Sequence, residues 1–122
     1  MTSYNRGDVI LVDIAFSGAV DFKRRPAVVI STSSFNLAGI KLVVAAITSN
    51  VMPPYRPGDT LLNDWRAAGL IKPSAVRGVF ATVDKSDVVR KLGTLSAADF
   101  AQMERGIADI LGFTVPFPSP LP

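Results

Sequence analysis

Arg25 and Thr48 are the residues whose types and spacing best support chemistry in this sequence. Arg24-Arg25-Pro26 opens an apolar run, Ala27-Val28-Val29-Ile30-Ser31, and Thr48-Ser49-Asn50 closes the next, Leu42-Val43-Val44-Ala45-Ala46-Ile47. Paired as an antiparallel hairpin around the loop 32–41, the runs set Ser31 opposite Leu42, and counting outward sets Arg25 opposite Thr48. A bulge would shift that register by a residue or two. Cross-strand partners lie about 5 Å apart, so a guanidinium and a hydroxyl would share one end of the sheet. Arginine offers a permanently charged bidentate fork for phosphate, and Pro26 stiffens the backbone beside it. Ser49 and Asn50 add short polar groups at the same strand end. Taken singly, each residue has a plain reading as a surface arginine, a strand-ending threonine or a turn former. Their predicted adjacency suggests a phosphate-handling site.

Other chemistries fall away by residue type. The chain has no histidine and no cysteine, so a Ser-His triad, an imidazole acid–base pair, a histidine- or thiolate-ligated metal and a disulfide framework are excluded. Asp59 with Asp64, and Asp84 with Asp87, read as solvated loop charges rather than converging magnesium ligands. Gly58, Gly69 and Gly78 are isolated, so no glycine-rich phosphate loop is present. An enzyme built from these residues would need no metal or nucleotide cofactor and would work by orientation and by electrostatic stabilisation from arginine. Lys23 and Arg24 could add phosphate contacts or be solvated loop charges. Arg77, inside Ser74-Ala75-Val76-Arg77-Gly78, either faces solvent or lines a site. Trp65 could stack on a base, although packing over the core is the simpler reading.

The elements that must position these groups are those of one small domain. Its 122 residues are 48% hydrophobic and 19% charged, a globular balance with room for one modest core. A net charge of +3 mildly favours a polyanionic partner. No leader-like or membrane-length apolar stretch occurs, and the lack of cysteine fits a reducing cytoplasm. A turn at Asn5-Arg6-Gly7 leads into a strand over 8–14, and residues 15–24 read as a mobile loop. After the hairpin come an irregular stretch over 50–59, a short strand at 60–63, a turn over 64–69, a strand at Leu70-Ile71 and a long strand over 75–83. The one clear helix starts at Ser96 as N-cap, with Asp99 completing a capping box. Its apolar face is Phe100, Met103, Ile107, Ile110 and Leu111, and Gly112 stops it. A proline-rich, extended tail over 114–122 follows a domain spanning 1–113. The pattern predicts a mainly β fold with a C-terminal helix, a small, partly open barrel.

At these residues the chain resembles the MazF/PemK family of toxins from type II toxin–antitoxin systems. The match runs through Arg6-Gly7-Asp8-Val9, Arg25-Pro26-Ala27-Val28-Val29-Ile30, Ile47-Thr48-Ser49 and Gly69-Leu70-Ile71-Lys72-Pro73-Ser74. It continues through Ala81-Thr82-Val83-Asp84-Lys85 and Lys91-Leu92-Gly93-Thr94-Leu95 into the last helix. Each motif is short, but their order and spacing together are specific. The resemblance implies an SH3-like barrel that dimerises with itself, single-stranded RNA lying along a groove at the dimer interface, and an antitoxin binding the same face. It implies sequence-specific RNA cleavage by the substrate's own 2′-hydroxyl, leaving 2′,3′-cyclic phosphate and 5′-hydroxyl ends. Within it, Arg25 looks like the phosphorane-stabilising arginine, Thr48 its hydroxyl partner and Ser49 the neighbouring phosphate contact. Arg77 matches a strand arginine that some relatives use in catalysis. Val79 stands where some relatives carry an acidic residue, and the loop before Arg25 offers only Asp21 as a nearby carboxylate. A gyrase-poisoning toxin of the CcdB type, or a catalytically silent RNA-binding barrel, would share this fold, because sites rather than folds carry function. The Arg25/Thr48 pair favours the nuclease.

Overall fold

The computed structural model describes residues 3–15 and 23–114. In chain order it comprises β1 (Asp8–Ile14), β2 (Lys23–Val29), α1 (Ser33–Ala38), β3 (Lys41–Thr48), β4 (Thr60–Leu61), β5 (Ala75–Asp84), a 3-10 turn (Lys85–Asp87), β6 (Val88–Thr94) and α2 (Ala97–Leu111). The strands form one antiparallel sheet in the order β4-β5-β3-β2-β1-β6. No helix among the described residues is long and apolar enough to cross a membrane.

The nearly unbroken apolar runs of β1, β2 and β3 are explained by burial on both faces of the sheet. On one face Val9, Val28, Ala45, Ile47 and Val76 pack with Met103 and Ile107 of α2. On the other, Ile10, Val12, Ala27, Val29, Leu42, Val44 and Val83 form a second cluster, joined by Val88. Val83 belongs to β5 and Val88 to β6, well separated in the strand order, so the sheet must curl around this cluster. Register shifts in β1–β6 and β3–β5 supply the bends that such curling needs. The result is the expected partly open barrel, a half-barrel closed at one face by α2.

β1 and β5 lie where the sequence places them. The expected hairpin register also holds: Ala27 pairs Ala46, Val28 pairs Ala45 and Val29 pairs Val44. The intervening 32–41 segment is not a plain loop. It contains α1, capped by Thr32, whose hydroxyl accepts the Phe35 N–H at 3.3 Å. Asn36 in this helix is buried and donates to the carbonyls of Tyr4 (2.9 Å) and Ser31 (3.2 Å). A six-residue segment is thereby fastened across the end of the β2–β3 hairpin by hydrogen bonds rather than by apolar periodicity, which is why its pattern was silent.

Three further expectations are corrected, and one strand goes unanticipated. Lys23 and Arg24 belong to β2, not to a loop, because Asp13 of β1 stands opposite Arg24 and the two ion-pair. Leu70 and Ile71 form no strand: Gly69, at φ +84, turns the chain there, and Ile71 has no sheet partner. Val88–Thr94 is a strand that the sequence pattern missed, since Arg90 and Lys91 make it read as loop; charged, exposed residues are typical of a sheet edge. In α2, Leu111 is 56% exposed rather than part of the apolar face. Residues 16–22, Asp21 included, and the tail beyond Thr114 lie outside the described residues.

Helix α2 begins as expected, with Ser96 Oγ accepting the Asp99 N–H at 3.2 Å, and ends at Gly112 in the left-handed conformation. The Asp99 carboxylate does not return to the helix cap. It is 1% exposed and accepts the N–H groups of Asn63 (3.1 Å) and Asp64 (2.9 Å), fastening the 63–69 turn to α2. Replacing Ser96 by alanine removes one cap bond and should lower stability by about 1 kcal/mol in a denaturant titration, with the fold retained.

Candidate active site

Pro26 has no N–H to give, and the last paired residues of β2 and β3 are Ala27 and Ala46. Beyond that point the same register carries Arg25 to the position opposite Thr48, where the ladder is open. Both residues line one cavity of about 330 Å³, together with Pro26, Ile47, Ser49 and the segment Leu70, Ile71, Lys72 and Ser74. The predicted neighbours therefore meet, and they meet in a recess rather than on a flat edge.

The segment 70–74 is a wall that sequence reasoning did not assign to the site. Ser74 Oγ donates to the Lys72 carbonyl at 2.9 Å, and the Ser74 carbonyl accepts the Leu62 N–H at 3.0 Å. These bonds hold Lys72 beside Arg25 although 47 positions separate them in sequence. The signal was present only as the Ile71-Lys72-Pro73-Ser74 motif; no local periodicity marks it.

Among the described residues, the cavity's ionisable groups are two cations, Arg25 and Lys72, its hydroxyls are those of Thr48, Ser49 and Ser74, and no carboxylate lines it. Thr48 Oγ1 accepts the Asn50 N–H at 3.1 Å, which fixes the hydroxyl and leaves its proton free to donate. Arg25 is exposed and has no carboxylate partner among the described residues. A dianionic or trigonal-bipyramidal phosphorus centre placed here would meet fixed positive charge and a hydroxyl donor.

The other sequence candidates lie elsewhere. Arg24 is engaged by Asp13, Nε to Oδ1 at 3.0 Å and a second bond at 3.3 Å. The Arg24 hydrogen bond holds the Asp13 carboxyl below the usual carboxylate range, and Asp13 raises Arg24 in return. Lys23 is exposed at the start of β2, opposite Ile14. Arg77 is half-buried in β5, within the stretch 77–79 that bulges opposite Ala46 alone, and it is not among the cavity's lining residues. Trp65 packs against the core, with the Arg66 guanidinium 4.8 Å from its ring centre.

With the geometry in place, the chain can be set beside known proteins. Residues 5–111 match the family model described as PemK-like, MazF-like toxin of type II toxin–antitoxin system. The chain belongs to this PemK/MazF toxin family. Endoribonuclease MazF6 of Mycobacterium tuberculosis is 31% identical over 97 residues, covering 78% of this chain and 84% of that protein. Endoribonuclease MazF2 of Mycobacterium bovis matches to the same extent, 31% over 97 residues. Among solved structures, MazF from Deinococcus radiodurans superposes with a TM-score of 0.74 at 18% identity, over 93% of this chain and 100% of that one. A mycobacterial endoribonuclease in complex with its cognate antitoxin superposes with a TM-score of 0.73 at 17% identity, over 93% and 100% of the two chains. These similarities establish the PemK/MazF fold over nearly the whole described chain.

Proposed function

We propose that this PemK/MazF toxin is a metal-independent, sequence-specific endoribonuclease that cuts single-stranded RNA. The observation that carries the reading is the cavity in which Arg25, Thr48, Ser49 and Lys72 converge. The names of its 31%-identical relatives, both endoribonucleases, support it.

The reaction that suits these groups is transesterification within the substrate. The 2′-hydroxyl of one ribose gives up its proton as its oxygen bonds to the adjacent phosphorus, the bond from phosphorus to the 5′-oxygen of the next nucleotide breaks, and that oxygen takes up a proton, so the protons lost and gained balance. The products are a 2′,3′-cyclic phosphate and a 5′-hydroxyl. Charge builds on the non-bridging oxygens of the phosphorane, and a preorganised guanidinium acts most strongly at that point. Arg25 binds those oxygens through its fork, the Thr48 hydroxyl donates to one of them, and Ser49 and Lys72 hold the flanking phosphate. Lys23 extends the positive surface along the RNA backbone, where each phosphate contact contributes a salt-dependent share of affinity; Arg24, held by Asp13, and Arg77, outside the cavity, are not needed for it.

The working protein is a homodimer, with RNA along the groove between its two copies and a cognate antitoxin competing for that groove. The antitoxin complex of the mycobacterial neighbour supports this last element. A cysteine-free chain fits work in the cytoplasm.

Purified protein should cut a long single-stranded transcript at discrete sites in excess chelator; intact RNA across several sequences would refute the reading. Unchanged RNA with stalled gyrase would favour a CcdB-type poison instead. Thr48→Val, which keeps the shape and removes the hydroxyl, should slow cleavage about 10- to 100-fold, the worth of one hydrogen bond to a charged group, while Thr48→Ser stays near wild type. Single-turnover rates on one mapped site check both variants.

A further inference from the structure

The arginine cavity does not end at its cationic groups. Pro26, Leu70 and Ile71 also form one side of a second recess of about 210 Å³, completed by Leu11, Gly69, Leu92 and Arg90. The shared wall makes the two recesses neighbours. One is cationic and rich in hydroxyls, and the other is apolar with a single charged residue.

The apolar slot is built, not incidental. Leu70 and Leu92 pack against the core and fix its floor. The 68–70 backbone lies directly on β6: a Cβ at Gly69 would fall 2.1 Å from the Leu92 carbonyl oxygen, and one at Gly93 would fall 2.6 Å from the Ala68 carbonyl carbon. Ile71, at the junction of the two recesses, is 88% exposed, a large aliphatic side chain with nothing over it. Arg90 stands opposite Leu11 in the β1–β6 register, is exposed, and has no ion-pair partner among the described residues.

We infer that this slot is a nucleobase subsite, holding the unpaired base next to the scissile phosphate against Ile71 and Pro26 with Arg90 reading its edge. The assignment rests on the ribonuclease reading above and names the part of the substrate that this site selects. A nucleotide joins an anionic phosphate to a flat base with apolar faces, and the paired recesses repeat that division. Unpaired bases are recognised by stacking, on guanidinium planes among other surfaces, and by hydrogen bonds to their exposed edges. Arg90 can supply both, since its fork matches paired acceptors on a base edge. An apolar antitoxin side chain or a second copy of the chain would use Ile71 but would have no need of an arginine fork at the slot's edge.

The test is cleavage of an RNA pool randomised around the cut, comparing wild type, Arg90→Ala and Ile71→Ser, with antitoxin binding and sedimentation measured on the same samples. Wild type should select one base beside the cleaved bond. Arg90→Ala should reduce selection at that position alone by about 10- to 100-fold, leaving the other positions of the motif intact. Ile71→Ser should slow cleavage about tenfold or more through lost stacking, in a protein that still melts near the wild-type temperature. The assignment is overturned if both variants keep the wild-type motif and rate. It is equally overturned if the substitutions act only on antitoxin affinity, or if Ile71→Ser instead converts a dimer to a monomer. Wild-type protein that cuts no RNA would overturn the nuclease reading and this subsite together; wild-type cutting with an unaltered motif in Arg90→Ala overturns the subsite alone.

Discussion

Arg25→Ala is expected to lower RNA cleavage by about 10³-fold while leaving the protein folded. The two halves of this expectation come from the same observation. Arg25 lies two residues beyond Ala27, where the β2–β3 ladder ends, and lines the cavity, yet has no ion-pair partner among the described residues. A side chain with nothing to hold in the folded protein costs little when removed, within about 0.5 kcal/mol. What it can hold is the phosphorane, whose charge exists only at the top of the barrier, so its loss falls on the rate. Arg25→Lys separates charge from geometry: it keeps the cation but loses the fork and should recover only a small part of the rate. Single-turnover cleavage and a thermal melt, run on the same preparations, check both halves. A melt that collapses with the activity would show Arg25 to be structural.

The largest expected loss of stability is at Gly69. Its φ of +84 is a conformation that side chains resist, and an added Cβ would lie 2.1 Å from the Leu92 carbonyl oxygen, a backbone atom that cannot swing away. Strain of about 1–2 kcal/mol and overpacking of about 1–3 kcal/mol add to roughly 3 kcal/mol or more for Gly69→Ala. For a domain of this size that lowers Tm by roughly 15 °C. The consequence reaches the site, because Gly69 lines the apolar recess itself and leads directly into Leu70 and Ile71, which both recesses share. Cleavage should therefore fall even at temperatures where the variant remains folded. Gly39→Ala is the matched control: no atom lies within 4 Å of its added Cβ and its backbone is extended, so Tm should hardly move.

What was legible in the sequence, and what was not, follows from the range of the interactions involved. The hairpin register was legible because the apolar runs 27–30 and 42–47 have definite ends, and matching those ends across a single connection sets the pairing seen between Ala27–Val29 and Val44–Ala46. That register alone predicted the meeting of Arg25 with Thr48. The start and stop of α2 were legible because Ser96 and Gly112 act on their own neighbours. Lys72 and Ser74 were not, since their place depends on the hydrogen bond that the Leu62 N–H donates to the Ser74 carbonyl and on the grip of Asp99 on the 63–69 turn. Asp99 illustrates the point: its position three residues into the helix fits a capping box, yet its carboxylate serves backbone 35 and 36 positions away. β6 was missed for the opposite reason, because an edge strand carries charges that interior strands exclude.

The central claim is that the substrate's own 2′-hydroxyl is the nucleophile and that Arg25 and Thr48 stabilise the phosphorane it forms. The most direct measurement uses one mapped cleavage site in two synthetic RNAs, identical except for a single 2′-deoxy sugar on the 5′ side of the cut bond, in excess chelator. The account predicts that the all-ribose RNA is cut to a 2′,3′-cyclic phosphate and a 5′-hydroxyl, and that the singly substituted RNA is bound but not cut. Equal cutting of both RNAs, with 5′-phosphate ends, would contradict it.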